Sequence, residues 1–449
     1  MGPADVAIVG GGASGTLVAV QLLRQARGPL RVALVERSGA LARGLAYGPA
    51  EPCHVLNVPA GRMSALPEDP DHFVRWCGAG PDEFVGRATY GAYLEALLSE
   101  ARAGAAPGVV LFAVPADVVR ASVGDQDVRL VLRGGGELDA RTTVLALGNF
   151  ASPELQVPDG GLYLSALYRR SPWEPGALDG IDPEAPVLLL GTGLTMVDAA
   201  LSLRRRGHRG PIEALSRHGL LPHVHTDAEP SPVRIGAAGL RGLLRALRAA
   251  ARREPDWRSA FDTLRPVTQR IWIRLPLAEK RRFLRHLRTF WDVHRHRMAP
   301  VVADAIAHLR GRGQLRVHAG RVHSFALTDG IALARFRPRG ERLLQKLHAA
   351  LIVNCTGPAA HLSEVQHPLV ASLLEQGLAR ADVLGMGFLT DAGGSLLGGG
   401  NGQLFTLGTL RRGELWETTA MPELREQARA LAERLVRELG QPSELAAEA

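Results

Sequence analysis

Gly10-Gly11-Gly12-Ala13-Ser14-Gly15 follows the short apolar run Asp5-Val6-Ala7-Ile8-Val9 and precedes a helical pattern carrying Leu17, Val18, Val20, Leu22 and Leu23. Glycines at the first, third and sixth places of such a junction suit a phosphate group. Gly10 allows the tight turn, Gly12 lets the backbone approach a pyrophosphate, and Gly15 lets the helix pack closely on its strand. The helix N-terminus then offers free N–H groups and the positive end of its dipole to the anion. A second strand at 31–35 ends at Glu36, 21 residues past Gly15. A carboxylate there accepts both hydroxyls of a ribose. The glycines alone say little. With strand, helix, strand and terminal acid in place they predict a dinucleotide site, to which Ala13, Ser14 and Arg37 add contacts.

The pattern recurs. A strand at 186–190 leads into Gly191-Thr192-Gly193-Leu194-Thr195-Met196, a helix follows, and a strand at 212–216 ends at Arg217. First glycine and strand-end residue are 26 apart in both copies. Arg217 takes the place of the acid, and an arginine pairs with a 2′-phosphate where a carboxylate would repel it. This favours NADPH over NADH. Gly191, Gly193, Leu194 and Thr195 would hold the phosphates, with Ser216 and His218 beside Arg217. Met196 stands where the third glycine would be, so this helix should sit slightly farther from its strand. The competing reading is a degenerate module that binds nothing. Each copy closes alike, with short alternating strands around 109–135 and 314–337. Buried runs ending in glycine follow, Thr143 to Gly148 and Leu351 to Gly357. A whole nucleotide-binding domain is duplicated.

Composition bounds the rest. The chain has 449 residues, 46% hydrophobic and 22% charged, which describes a globular protein of two to four domains. Its three cysteines include no Cys-x-x-Cys, against a disulfide framework and against a dithiol reductase. No apolar run is long enough to span a bilayer. The apolar start is broken by glycines at 10, 11, 12 and 15, unlike a signal peptide. A soluble, cytoplasmic protein is expected. The net charge of +8 is uneven: segment 231–312 holds 19 Arg or Lys against 6 Asp or Glu, a surplus of 13, so the remainder carries −5.

That basic segment predicts helices at 234–253, 277–297 and 299–312. It is a solvated face of a structural subdomain, a wall for an anionic substrate or NADPH phosphates, or a surface for nucleic acid or membrane. Phe283, Phe290 and Trp291 fall on the apolar side of their helix, as core residues do, and do not form a stacking platform. No nucleic-acid or membrane partner is expected. His294 and His296 do not share a helix face, and His223 and His225 lie in a proline-bounded loop, so no metal site is expected.

Further motifs narrow the reading. Gly44-Leu45-Ala46-Tyr47 is followed by His54-Val55-Leu56-Asn57-Val58-Pro59-Ala60-Gly61-Arg62-Met63-Ser64, then by Asp69-Pro70-Asp71-His72-Phe73 and Trp76. Gly408-Thr409-Leu410-Arg411-Arg412-Gly413-Glu414-Leu415-Trp416 stands near the end. With the two modules, these make the chain resemble the two-dinucleotide-binding flavoproteins over essentially its full length. Within them it is similar to the FAD/NAD(P)-binding group that contains FAD-dependent urate hydroxylase and aspartate N-hydroxylating monooxygenase. The resemblance implies an α/β fold of two Rossmann-type dinucleotide-binding domains, the first for FAD, the second for NADPH and carrying a helical insertion. The FAD domain would comprise 1–155 and 358–449. The NADPH domain would comprise 186–357 with the basic insert at about 231–312, and 156–185 would be a linker. A final helix at about 422–439 would pack on the FAD sheet. Asn57, Met63 and Ser64 would lie near the flavin, Val118 beside the adenine, Gly148 at the closing strand, and Gly408 and Thr409 under the flavin. An Asp that related flavoproteins carry before the last helix is absent. The plain alternative for 54–64 is a surface loop with a proline turn.

With both cofactors the minimal reaction is hydride transfer from NADPH to the flavin. The resemblance implies a single-component monooxygenase that uses O2 through a flavin hydroperoxide, in a site that excludes water. It would hydroxylate a small polar substrate, with the basic insert favouring an anionic one. The substrate would lie between the domains, and N- and C-hydroxylation both stay open. Asn57, Arg62 and Asn354 are the candidates for hydrogen bonds to flavin or substrate, structural loop contacts being the equal alternative. Two other functions compete. One is a flavin reductase passing electrons to a quinone or partner protein. The other is a cofactor-binding sensor without turnover. Cys355, in the closing strand of the second module, reads as structural.

Overall fold

The computed structural model describes residues 2–226, 239–328, 330–400 and 402–440. In chain order its strands are β1 (Ala4–Val9), β2 (Leu30–Val35), β3 (Val109–Val114), β4 (Val118–Val123), β5 (Val128–Leu132), β6 (Glu137–Leu145), β7 (Tyr168–Arg169), β8 (Val187–Leu190), β9 (Ile212–Ser216), β10 (Leu315–Thr328), β11 (Ile331–Pro338), β12 (Gln345–Ala349), β13 (Leu351–Asn354) and β14 (Leu404–Thr406). They form two sheets, one in each of two compact units. One unit is drawn from 1–50, 58–150 and 360–449, the other from 51–57 and 151–359. Both units are Rossmann-type. Among the described residues no helix is long and apolar enough to cross a membrane.

In the first unit the strands run in the order β3-β2-β1-β6-β5-β4, with β14 also paired to β6. β1 lies parallel between β2 and β6. A strand flanked on both sides and covered on both faces needs apolar residues at every position, so Val6, Ala7 and Ile8 are all fully buried. The helix Ala13–Gln25 leaves β1 and buries Gly15 through Leu23 without a break. A helix apolar all round needs cover on two sides. The helix Met421–Glu438 supplies the second, packing Leu424, Ala428, Leu431 and Leu435 inward. The expected partner was the sheet. The last helix packs mainly on another helix because that helix has an apolar outer face left to bury.

The second unit runs β12-β11-β10-β9-β8-β13-β7. Its five strands β10-β9-β8-β13-β7 repeat β3-β2-β1-β6-β14. β10 serves twice: residues 315–319 pair parallel with β9, and from Gly320 the same strand runs antiparallel to β11. The stretch 156–185, read from sequence as a linker, is part of this unit. Tyr168–Arg169 forms the edge strand on β13. Phe325 N–H donates to the Pro158 carbonyl at 2.7 Å, and the Tyr163 ring lies against Tyr168 and Phe325. Residues 51–57 also belong here. His54 is buried against the helix Leu194–Arg205, where its Nδ1 accepts from Glu51 N–H at 3.1 Å. That fixes the tautomer, so Nε2–H donates to Ser202 Oγ at 2.9 Å.

The insert is helical. Of the helix expected at 234–253, Gly239–Ala251 is helical and 252–253 form a turn, and 234–238 lie outside the described residues. The stretch 277–297 forms two helices, Leu277–His286 and Arg288–Arg295, separated at Leu287. The i→i−4 ladder persists across the break, through Leu287 N–H to Phe283 O and Trp291 N–H to Leu287 O, both 2.8 Å. The departure is therefore one residue with φ −116°. Phe283 and Trp291 join Phe261 and Trp272 in an aromatic core. Phe290 does not: it is 42% exposed and its ring lies 5.9 Å from His218. Arg241, Arg245 and Arg248 are exposed.

The duplication holds contact by contact. Gly10 N–H donates to Val35 O and Gly191 N–H to Leu215 O, each at 2.8 Å. Ala146 N–H donates to Val9 O at 2.8 Å, and Cys355 N–H to Leu190 O at 2.7 Å. Gly10 has φ +108° and Gly191 φ +110°. A Cβ on Gly10 would stand 2.3 Å from Ala146 O, and one on Gly191 2.4 Å from Cys355 O. A Cβ at Gly15 would stand 1.9 Å from Gly10 O. Met196, its counterpart, carries a Cβ and is fully buried, so the second helix cannot approach its turn as closely. Gly10→Ala and Gly191→Ala should each lower stability by about 3 kcal/mol, from backbone strain and overlap together. Urea unfolding measures this, and a loss below about 1 kcal/mol would show that the turn relaxes freely.

Candidate functional site

The first unit assembles most of the residues expected around a dinucleotide. Gly12 caps the helix Ala13–Gln25 with extended backbone, no side-chain cap and no acidic residue in the first turn. The leading N–H groups are left for an anion. A Cβ on Gly12 would meet only the Gly44 backbone, at 3.3 Å. Gly44 itself has φ +51° and belongs to the same close approach. The motif Gly44-Leu45-Ala46-Tyr47 carries no sign of this contact in sequence. Glu36 Oε2 accepts from Gly11 N–H at 2.8 Å, and Oε1 from Ser38 N–H and Oγ–H at 3.0 and 2.8 Å. The carboxylate is thereby fixed at the strand end with lone pairs left for hydroxyl donors. Arg37 is exposed beyond it. Gly148 has φ +66° and open space where a Cβ would go. Gly408, φ +69°, stands beside Ser14, a Cβ there being 3.6 Å from Ser14 Oγ. Thr409 Oγ1–H donates to Asn149 Oδ1 at 3.1 Å. An uncapped helix start, glycine backbone on both sides and a strand-end acid fit the pyrophosphate and ribose of FAD.

Other expected flavin residues lie farther along the same unit. The 3-10 turn Ala60–Arg62 leads to Met63, whose carbonyl accepts from the Tyr90 hydroxyl at 2.9 Å. Ser64 is fully buried and its hydroxyl donates to Asp69 O at 2.6 Å. It therefore holds its own loop. Val118 opens β4 beside a bulge at Val118–Arg120, and Asp117 before it pairs with Arg133 at 2.8 Å. Arg62 is exposed, and its guanidinium makes no hydrogen bond or ion pair among the described residues. Asn57 is grouped with the second unit, where its carbonyl meets His225 Nε2 at 2.9 Å.

The second unit repeats the cradle with the opposite charge. Gly193 caps the helix Leu194–Arg205 without a side-chain cap or an early acid, and nothing lies within 4 Å of where its Cβ would be. Leu194 and Thr195 form the first turn. Gly357, φ +90° and equally open, is the counterpart of Gly148. Ser216 is spoken for. Thr192 Oγ1–H donates to Leu220 O at 2.6 Å, so Ser216 Oγ–H donates to Thr192 at 2.9 Å and accepts from Gly219 N–H at 3.0 Å. Ser216 shapes the turn that presents Arg217 and His218. Arg217 is exposed and makes no ion pair among the described residues. These residues fit the pyrophosphate and phosphorylated ribose of NADPH.

Asn354 is buried in the closing strand with its amide fully engaged. Nδ2 donates to Pro153 O at 3.0 Å and to the Tyr168 hydroxyl at 3.2 Å, and Oδ1 accepts from Thr356 N–H and Oγ1–H at 3.0 and 2.6 Å. That is a structural role. All three cysteines are free. Burial pushes the Cys355 thiol up, with the Asp198 carboxylate adding to it. Burial also raises the Cys53 thiol, with Glu51 adding to it.

His223 and His294 meet across the insert with ring centroids 4.6 Å apart. Trp257 packs on both, at 5.0 and 4.7 Å, and Phe261 stacks on His294. Arg297, 2% exposed, pairs with Asp262 at 2.7 Å, and Arg258 lies over the Trp257 ring. Burial lowers the proton affinity of both histidines. His294, Arg258 and Arg297 add to the effect at His223, and Arg297 and Arg258 at His294, where the Phe290 carbonyl opposes it. Both shifts favour the neutral ring. Among the described residues no group of three metal-ligating side chains comes together.

The family profile described as FAD-NAD(P)-binding matches residues 7–150. No protein of curated function matches the sequence. The ornithine N-hydroxylase of Kutzneria sp. 744 superposes with a TM-score of 0.67 at 14% identity, over 98% of this chain and 100% of that one. The cadaverine monooxygenase of Erwinia amylovora gives 0.68 at 13% identity, over 99% and 97%. The bacillithiol disulfide reductase of Staphylococcus aureus gives 0.59 at 12% identity, over 98% and 99%. The shared property is the fold.

The histidine pair generates a pH prediction. A buried histidine with lowered proton affinity contributes stability above the unfolded value, about 6.5, and loses it as pH falls through its folded value. The urea midpoint should therefore drop as pH falls from 7.5 to 5, and the double variant His223→Gln, His294→Gln should drop less. Equal slopes in the two proteins would remove the pair as a source of acid sensitivity.

Proposed function

We propose that this chain is an FAD- and NADPH-dependent oxidoreductase, a single-component monooxygenase of a small polar substrate. The observation that carries the reading is the pair of cradles in one chain. Each has a positive-φ glycine and an uncapped helix start, and their strand ends bear opposite charges at Glu36 and Arg217. One is suited to ribose hydroxyls, the other to a ribose phosphate. Gly10, Gly12, Ala13, Ser14, Gly15 and Glu36 hold FAD. Gly191, Gly193, Leu194, Thr195, Arg217 and His218 hold NADPH. When bound, the two cofactors supply electrons and oxygen activation. The balanced reaction consumes NADPH, a proton and O2, puts one oxygen atom into a substrate bond to hydrogen, and releases NADP+ and water.

Two further observations support oxygen insertion. An ornithine N-hydroxylase and a cadaverine monooxygenase share the fold, which makes an amine nitrogen the first atom to test. A disulfide reductase shares it too, but Cys53, Cys77 and Cys355 include no Cys-x-x-Cys. Free thiols also fit a reducing compartment, the cytoplasm. Arg62, exposed and unpaired among the described residues, suits an anionic group of the substrate.

The purified protein should carry FAD. It should consume NADPH faster with its substrate and place label from 18O2 in the product. Diamines, basic and acidic amino acids and purines form the first panel. NADPH consumption with no label in any product, but with stoichiometric reduction of a quinone, would replace the monooxygenase with an acceptor reductase. Arg217→Ala should raise KM for NADPH about tenfold or more and leave that for NADH nearly unchanged, as loss of a charge-assisted contact to phosphate requires. Equal changes in the two values would remove the preference for NADPH.

A further inference from the structure

The two units can be compared at one more pair of positions. In the first unit Asp117 precedes the bulge at Val118–Arg120, and Arg133 stands across from it. Arg133 N–H donates to Asp117 O at 2.7 Å, and the side chains form an ion pair at 2.8 Å. In the second unit the bulge lies at Val322–Ser324. The residue before it is Arg321, and directly opposite stands Arg337. An ion pair in one unit is a facing pair of arginines in the other. Like charges directly opposite on neighbouring strands are destabilising. Neither arginine makes an ion pair or side-chain hydrogen bond among the described residues, and the same holds for Arg339 two residues on.

Register places these arginines beside the predicted nucleotide phosphate. Ser216 on β9 pairs with Ala319 on β10, so Arg217 leaves its strand level with Gly320 and Arg321. The turn after Arg217 rests on Ala319, a Cβ on Gly219 being 3.0 Å from the Ala319 Cβ. Arg339 is tied to the same residue, its N–H donating to Ala319 O at 2.8 Å. His218 lies in the middle. Its Nδ1 is buried without a hydrogen-bond partner. Its proton affinity is lowered by burial first, then by Arg339, Arg217 and Arg321. Three elements thus direct positive charge at one place: the strand-end turn, β10 and the residues just past β11. Arg337 stands on β11 directly opposite Arg321.

We infer that Arg321, Arg337 and Arg339 complete, with Arg217 and His218, the cradle for the 2′-phosphate of NADPH and set the preference for the phosphorylated cofactor. The inference rests on the NADPH reading above and adds residues to it that lie more than 100 positions beyond Arg217. A phosphate dianion accepts from several guanidinium forks at once and relieves the repulsion between Arg321 and Arg337. The bulge shifts the register of β10 directly after Arg321, and bulges beside binding sites re-aim side chains in this way.

The test uses the full-length, FAD-loaded protein and two ligands, adenosine 2′,5′-bisphosphate and 5′-AMP, titrated by calorimetry. Wild type should bind the bisphosphate about tenfold or more tightly than 5′-AMP. Arg321→Ala, Arg337→Ala and Arg339→Ala should each reduce that ratio severalfold with 5′-AMP binding unchanged, in line with loss of a hydrogen bond to a charged group. Arg321→Asp rebuilds the ion pair of the first unit. It should raise the melting temperature of the protein free of nicotinamide cofactor while abolishing the preference. A purely structural pair would not separate the two readouts in that way. If Arg217→Ala abolishes the preference and the other three alanine variants keep it, the inference is overturned and the NADPH reading stands. If wild type shows no preference for the bisphosphate, the NADPH reading itself falls.

Discussion

A backbone carbonyl pressed against a glycine organises each half of this protein. Gly10 meets Ala146 O and Gly191 meets Cys355 O, both at φ near +110° and both too close for a side chain. That contact brings the end of the first strand, the start of the first helix and the end of the closing strand to one point. The proposed phosphate binding depends on it. The helix N-terminus is left uncapped there and glycine backbone surrounds it, so the unpaired N–H groups face open space rather than a side chain. The remaining strands and helices hold this junction in place. The apolar faces of Ala13–Gln25 and Met421–Glu438 are one example of that support.

From this common junction the two units diverge by charge. The strand-end residue is Glu36 in one and Arg217 in the other. The residue before the bulge is Asp117 in one and Arg321 in the other. The first unit neutralises its acid with Arg133, whereas the second faces its arginine with another arginine. The backbone is nearly the same, so charge is the main difference between the two junctions, and the proposed division between FAD and NADPH rests on it. A carboxylate selects hydroxyl donors, and a group of guanidinium ions selects a phosphate.

The charge surplus of the basic segment suits a solvated face of a structural subdomain or a wall for an anion, and the fold agrees with the first. In the structure Arg241, Arg245 and Arg248 lie on an exposed helix face, while Phe261, Phe283 and Trp291 fill the interior with the buried Arg297–Asp262 pair. The arginines near the second cradle come from β10, β11 and the turn after β9. Count of charge along the chain and convergence of charge in space are different quantities. Here the second is found outside the segment with the largest surplus.

The sequence by itself determined what depends on near neighbours in the chain. Strand, glycine turn, helix and strand-end residue are local features, and their spacing placed Gly10, Gly12, Gly15, Glu36, Gly191, Gly193 and Arg217 at the two cradles. The repeated closing strands showed the duplication for the same reason. Only the tertiary structure decided where distant segments meet. It placed 51–57 and 156–185 in the second unit and set Gly44 against Gly12. It spent the Asn354 amide and the Ser216 hydroxyl on internal hydrogen bonds, and it brought Arg321 and Arg339 near His218. Register and long-range packing fix such contacts, and a sequence window carries no record of which strand will lie beside which.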